Sequence, residues 1–335
     1  MGQNTTARQG DCLALKIEQS HEIMRRALRE HQPLRVFAGF SGGGDSSVLA
    51  AWAKPYVDSL FHIDTGTGIP GWTDSRGKRH RGVREHVEWM AAEVIRTPLV
   101  VYEANDAYRR MVIGTEEFWA TYEPRRALGV TLREFVEEQR RIPGKGVAPQ
   151  QPFGFPGPGS HGAAYTRLKE RQFDALRRDV KAELGTGRSD RVMMLTGVRR
   201  SESARRANRE EVTRRGSLVF VSPLTHWTAS DMQEFRERHA LPRSDVSALI
   251  EMSGECTCGA FADEGEREML MHLWPEWWAA THGALEHEAA ARGLPLCVWG
   301  KRYPGALNIK GEIGPFCAGC EIRQEVAESR SKEAA

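Results

Sequence analysis

The chain has 335 residues, 40% of them hydrophobic and 27% charged, which is the composition of an ordinary soluble globular protein and excludes a disordered or fibrous one. No uninterrupted apolar stretch reaches the roughly 20 residues that cross a bilayer, and MGQNTTARQGDCLALKIEQ lacks the apolar core of a secretory signal, so a cytoplasmic protein that engages no membrane is expected. The formal charge of +2 gives no global drive toward nucleic acid.

Residues 13–30 carry Leu15, Ile23, Met24, Ala27 and Leu28 at helical spacing. LRVFAGF (34–40) is a short buried strand and DSSVLAAWA (45–53) a helix. DSLFHID (58–64) is again strand-like, REHVEWMAAEVI (84–95) is helical, and PLVVYE (98–103) is a third β-rich run. Residues 142–162, IPGKGVAPQQPFGFPGPGSHG, are dominated by proline and glycine and are expected to form a substrate-facing loop or lid. A long helix follows at 163–184, then strands RVMMLTG (191–197) and SLVFVSP (217–223), and from about residue 228 the chain is mainly helical. The alternation predicts an α/β fold with a parallel sheet of about five strands flanked by helices, and residues 1–240 are expected to form one domain and 241–335 a helical, cysteine-bearing region.

Between the first strand and its helix stands SGGGDSS (41–47). Glycines free backbone N–H groups to approach an anion, and the following helix N-terminus adds about half a positive charge. Ser41 and Ser46 offer hydroxyl donors, while Asp45 can cap the helix or approach a phosphate-bound Mg²⁺. Taken alone, the stretch is equally a strand–helix turn with a capping aspartate. The basic blocks RGKRHRGVR (76–84), RRSESARRANRE (199–210) and VTRRG (212–216) are either solvated faces or surfaces turned toward phosphate.

Six cysteines are present, four of them in the pairs Cys256/Cys258 and Cys317/Cys320. Such spacing suits thiolate coordination of a [4Fe–4S] cluster or, alternatively, of zinc, with unliganded or disulfide-bonded cysteines as the remaining reading. Cys297 is expected to be a buried apolar residue, with replacement of one ligand as its other reading, and Cys12 to be structural.

The glycine stretch resembles the S-G-G-x-D-S pyrophosphate loop of the ATP-pyrophosphatase superfamily, carried here by Ser41, Gly42, Gly43, Gly44, Asp45 and Ser46. That superfamily often has lysine where this chain has Gly44. FHIDTGTGIP (61–70) resembles the F-x-D-T-G segment of the PAPS-reductase (phosphoadenylyl-sulfate reductase) family, which implies that Asp64, Thr65 and Gly66 line an adenosine pocket. LTGVRRSESARRA (195–207) is similar to that family's G-x-R-x-x-E-S-x-x-R segment through Gly197, Arg199, Glu202, Ser203 and Arg206. PLTHWTASDMQEF (223–235) resembles the P-L-x-x-W-[ST]-x-x-D-[VI] segment that follows. The resemblance implies bound ATP and Mg²⁺, with Arg199 and Arg206 on phosphate oxygens and Lys169 facing the nucleotide. Catalytic roles are expected for Asp45, Ser41, Arg199 and Lys169.

The reductases of this family carry a nucleophilic cysteine in a C-terminal E-C-G-[IL]-H segment, whereas this chain ends EIRQEVAESRSKEAA. Cysteine pairs without that tail resemble instead the DndC- and SspD-type components of bacterial DNA phosphorothioation. The resemblance implies an ATP pyrophosphatase or adenylating enzyme that activates a phosphate for sulfur transfer. DNA would be the acceptor, and a cysteine desulfurase or another modification-system subunit the sulfur donor. Two alternatives stay open: a sulfonucleotide reductase, and a non-catalytic DNA-binding or scaffold subunit with a degenerate nucleotide loop.

Overall fold

The computed structural model describes residues 4–104, 106–141, 151–157, 161–184, 187, 190–202, 206–260, 262 and 265–294. Helix α1 (Asn4–His31) leads into β1 (Arg35–Gly39), α2 (Gly44–Ala53) and β2 (Ser59–Asp64). A two-stranded antiparallel ribbon, β3 (Trp72–Thr73) with β4 (Arg79–His80), precedes α3 (Val83–Trp89), which runs on into a π-helical turn at Met90–Ile95 and then β5 (Leu99–Glu103). Three helices follow, α4 (Ala107–Ile113), α5 (Glu116–Arg126) and α6 (Leu132–Arg141). The expected long helix is α7 (His161–Tyr165) and α8 (Arg171–Leu184), joined through a π-helical turn at Thr166–Glu170. The chain then forms β6 (Val192–Leu195), β7 (Val212–Arg215), β8 (Leu218–Val221) and α9 (Ala229–Arg238). Helices α10 (Asp245–Ile250), α11 (Glu266–Leu273), α12 (Pro275–Trp278) and α13 (Ala284–Ala291) complete the described part, the last two joined by a π-helical turn at Ala279–Gly283.

The fold is α/β, with six strands in the order β5-β2-β1-β6-β8-β7, parallel except for β7. About five strands were expected, and the sixth is β7, whose VTRR reads as a basic block. It is an edge strand paired on one side only, so it needs no apolar run.

Period-2 alternation sorts the strand side chains onto two covered faces. Val36, Ala38, Met193, Leu195, Val219 and Val221 share one core with Leu13, Ile23, Met24 and Ala27 of α1 and with Val48 and Leu49 of α2. Phe37, Val192, Met194, Leu218 and Phe220 share another with Phe173, Leu176 and Val180 of α8. Burial on both faces is why these strands read as unbroken apolar runs. Val246, Leu270, Trp274 and Trp278 join the first core, whereas Cys258, Leu285 and Ala289 pack with Met111, Phe118 and Trp119 of α4 and α5.

The segment 223–235 has a local physical explanation. Thr228 caps α9, its side chain accepting from Asp231 N while Asp231 returns the bond to Thr228 N, a capping box. Asp231 also pairs with Lys16 of α1 at 2.5 Å, and the fully buried Trp227 donates to Ser20 Oγ at 2.9 Å. The motif therefore fastens α9 to α1.

Of the proline–glycine stretch, residues 142–150 and 158–160 lie outside the described residues. The part at 151–157 packs on α4, with Phe153 N donating to Met111 O and Gly154 N to Val112 O. No helix among the described residues is long and apolar enough to cross a membrane.

Two buried histidines set an acid limit on stability. Burial pushes His86 down to about 4 and His282 to about 3. In the folded chain both stay neutral near pH 6, whereas in the unfolded chain they take up protons below about pH 6.5. The unfolded state therefore binds more protons, and stability falls with pH from about 6.5 toward the folded values. Urea unfolding is expected to show a loss of several kcal/mol between pH 7 and pH 4, and His282→Gln should remove part of that slope.

Candidate active site

In the strand order, β1 lies between β2 and β6, and the chain turns to opposite sides of β1 in its two halves. The crevice at the strands' C-terminal ends, where the order switches, is where open α/β sheets bind ligands. Two loops flank it: residues 40–43 after β1 and residues 196–199 after β6.

The first loop is held by its own hydroxyls. Ser46 Oγ accepts from Ser41 N at 3.2 Å and donates to Gly43 O at 3.0 Å, while Ser47 Oγ donates to the same carbonyl at 2.9 Å. Gly42 has φ +80, and a Cβ there would lie 2.9 Å from Val87 Cγ2, so both conformation and space require glycine. Helix α2 starts at Gly44 from an extended Gly43, with no side-chain cap. Its first N–H groups and the positive end of its dipole are left for a ligand.

Asp45 neither caps α2 nor is left to face a metal alone. Its Oδ2 accepts from Arg199 Nε at 3.0 Å and Nη2 at 2.8 Å, a grip that ties the β1 loop to the β6 loop. Gly197 permits the approach: a Cβ there would meet the Asp45 carbonyl oxygen at 3.4 Å.

These loops wall a cavity of about 1010 Å³. Its lining brings together Ser41, Gly42, Gly43, Gly44, Asp45 and Ser46 with Gly197, Arg199, Lys169, Cys256 and Cys258. Lys169, in the π-helical turn before α8, pairs with Glu255 at 2.6 Å, both side chains being less than a tenth exposed. Glu255 begins the segment that carries Cys256 and Cys258. A hydrogen bond from Cys258 draws the Cys256 thiol below its usual range, against the opposing effect of burial, and Lys169 assists.

Asp64, Thr65, Gly66 and Arg206, expected on the nucleotide, do not line this cavity. Asp64 pairs with Arg84 at 3.1 Å and accepts from Gly66 N at 2.9 Å. Thr65 Oγ1 donates to Glu255 O at 3.0 Å, and Thr257 Oγ1 donates to Thr67 O at 2.5 Å. The DTG segment thus holds the cysteine segment in place. Arg206 is fully buried and pairs with Glu202, which itself lines the cavity.

Glu255, His62 and Arg236 line the cavity without having been singled out from the sequence. Glu255 stands beside Cys256, and that adjacency was the available signal. For Arg236 the signal was Gly44, which stands where the superfamily that the loop resembles often has lysine.

Of the four proposed metal-ligating cysteines, Cys317 and Cys320 lie outside the described residues. Cys256 and Cys258 stand side by side at the cavity, and among the described residues no three His, Cys, Asp or Glu side chains gather as a metal site. The thiol pair fits half of a four-thiolate site.

Residues 158–246 match the family model described as "Phosphoadenosine phosphosulfate reductase domain". Phosphoadenosine 5'-phosphosulfate reductases from strains of Xanthomonas campestris pv. campestris are 43% identical over 47 residues, covering 14% of this chain and 20% of theirs. The chain thus matches about a fifth of the length of those curated relatives. Among solved structures it is similar to phosphoadenylyl-sulfate reductase from Candida auris, with TM-score 0.36 and 14% identity over 69% of this chain and 84% of that one. It is also similar to NMN synthetase from Francisella tularensis, with TM-score 0.38 and 13% identity over 94% of each chain.

Proposed function

We propose that the cavity binds ATP with Mg²⁺ and that the chain is an ATP pyrophosphatase or adenylating enzyme activating a phosphate for sulfur transfer, with DNA as the acceptor. The observation that carries this is the placement of the uncapped α2 N-terminus, Arg199 and Lys169 on one cavity at the switch point of the sheet. The match of residues 158–246 to a phosphosulfate-handling domain supports it.

In the proposed reaction a phosphate oxygen of the acceptor attacks the α-phosphorus of ATP. The bond to the β-phosphate breaks and pyrophosphate leaves. The outer sulfur of a donor persulfide, on a cysteine desulfurase or another modification-system subunit, then attacks the activated acceptor phosphorus, and AMP departs with the replaced oxygen. A thiol reductant then supplies two electrons to cleave the S–S bond, leaving the phosphorothioate and the donor's free thiol. The chain's own part is electrostatic: the α2 N-terminus and Ser41 hold phosphate oxygens, and Arg199 fixes Asp45 at the loop. Cys256 and Cys258, with Cys317 and Cys320, would hold a [4Fe–4S] cluster, or zinc, which would supply electrons in the first case and structure in the second.

Purified chain given ATP and Mg²⁺, with and without DNA and a sulfur donor, should release pyrophosphate, and Ser41→Ala or Asp45→Ala should abolish the release. Full turnover in both variants would remove the loop from the reaction. DNA binding indifferent to ATP, with no hydrolysis, would point to the scaffold alternative.

The second reading, sulfonucleotide reduction, is favoured by the domain match together with two adjoining thiols at the cavity. Sulfite released from adenylyl sulfate or its 3'-phosphorylated form would select it. Metal analysis separates the cysteine readings: anaerobically purified protein is expected to contain about four iron atoms, lost in Cys256→Ser/Cys258→Ser, and stoichiometric zinc without iron would overturn the cluster.

A further inference from the structure

The backbone at Gly44 points its missing side chain at Arg236. A Cβ built there would stand 3.3 Å from Arg236 Nη1. Arg236 reaches this place from the last turn of α9, across the cavity from the loop.

Its charge is unmatched in a way that its neighbours' charges are not. Arg199 is gripped by Asp45, Lys169 by Glu255 and Arg206 by Glu202, while Arg243 donates to Ser247 O. Among the described residues nothing accepts a hydrogen bond from the Arg236 guanidinium, and its Nε is buried without a partner. Glu202, Glu237, Glu251 and Glu266 also line the cavity, and none forms an ion pair with it.

A half-buried guanidinium beside the positive end of a helix meets a like charge and loses water without replacement. An anion bound between the two answers both costs. Phosphate oxygens suit that gap, because the fork of the guanidinium matches them two at a time.

We propose that Arg236 is the phosphate-binding cation of this site, paired with non-bridging oxygens of the nucleotide's phosphates above Gly44, and that position 44 lacks a side chain so that the guanidinium fits. The assignment rests on the nucleotide reading above. It makes α9, through its last turn, part of the nucleotide seat and gives Gly44 a steric reason.

Calorimetric titration of the purified chain with ATP, AMP and inorganic pyrophosphate tests it. Arg236→Gln should weaken ATP and pyrophosphate roughly tenfold to a hundredfold, the range for a lost hydrogen-bonded charge, and AMP by clearly less. Gly44→Lys alone should also weaken ATP, because lysine meets Arg236 sterically and electrostatically. The double change Gly44→Lys/Arg236→Ala should recover ATP binding to within a few-fold of wild type, since the cation then comes from the start of α2 instead of the end of α9. Wild-type protein that binds neither ATP nor pyrophosphate defeats the nucleotide reading itself. Wild-type binding with Arg236→Gln unchanged, or with ATP and AMP weakened equally, overturns the role of Arg236 alone. A melting curve on each variant guards the comparison, and should Arg236→Ala fold poorly, Gly44→Lys/Arg236→Gln replaces it with the same expected recovery.

Discussion

Arg199→Ala is expected to reduce pyrophosphate release from ATP by about 10²–10³-fold, the effect of removing one preorganised charge from a transition state. Arg199 is the only side chain among the described residues that ties the β1 loop to the β6 loop by an ion pair, through Asp45. Without it the first turn of α2 keeps its dipole, but the carboxylate of Asp45 swings free beside the phosphate seat and repels it. Arg199→Lys keeps the charge and loses the two-bonded grip, so it should recover only a small part of the rate. Because the grip orients the loop around reacting phosphates, kcat should fall more than KM rises. Turnover within threefold of wild type in Arg199→Ala would sink the electrostatic account of the site.

The sequence made the centre of the sheet legible because β1, β6 and β8 are covered on both faces and so read as unbroken apolar runs. β7 escaped because an edge strand can be as charged as Arg214 and Arg215 make it. The loop at 41–46 was legible for a different reason: its chemistry is local, with serine hydroxyls bonding within a few residues. What the sequence could not display was the partner of each charge. Asp45 was open to capping its helix or approaching a metal, and the fold gives it an arginine 154 residues away. Asp64 and Arg206 carry the right chemistry for a nucleotide, yet Arg84 and Glu202 engage them. Motifs name residue types; the fold decides which charges remain unpaired at the cavity, and Arg236, which lies outside every motif, is one of them.

The largest stability effect is expected at Lys169. Its ammonium and the Glu255 carboxylate lie 2.6 Å apart, with side chains 9% and 7% exposed. Lys169→Met leaves a buried carboxylate without its counter-ion, and breaking such a pair from one side costs about 3–5 kcal/mol. Urea unfolding should therefore show Lys169→Met as strongly destabilised. Replacing both partners, Lys169→Met/Glu255→Leu, removes the stranded charge and should bring stability back to within about 1–2 kcal/mol of wild type, since a buried pair and an apolar pair of similar volume are nearly equivalent. Activity should not return with it, because the double variant still lacks the cation that faces the cavity next to Cys256. A stable double variant with restored turnover would show that Lys169 only holds the wall of the cavity. A Lys169→Met protein as stable as wild type would show that the pair is not buried in solution.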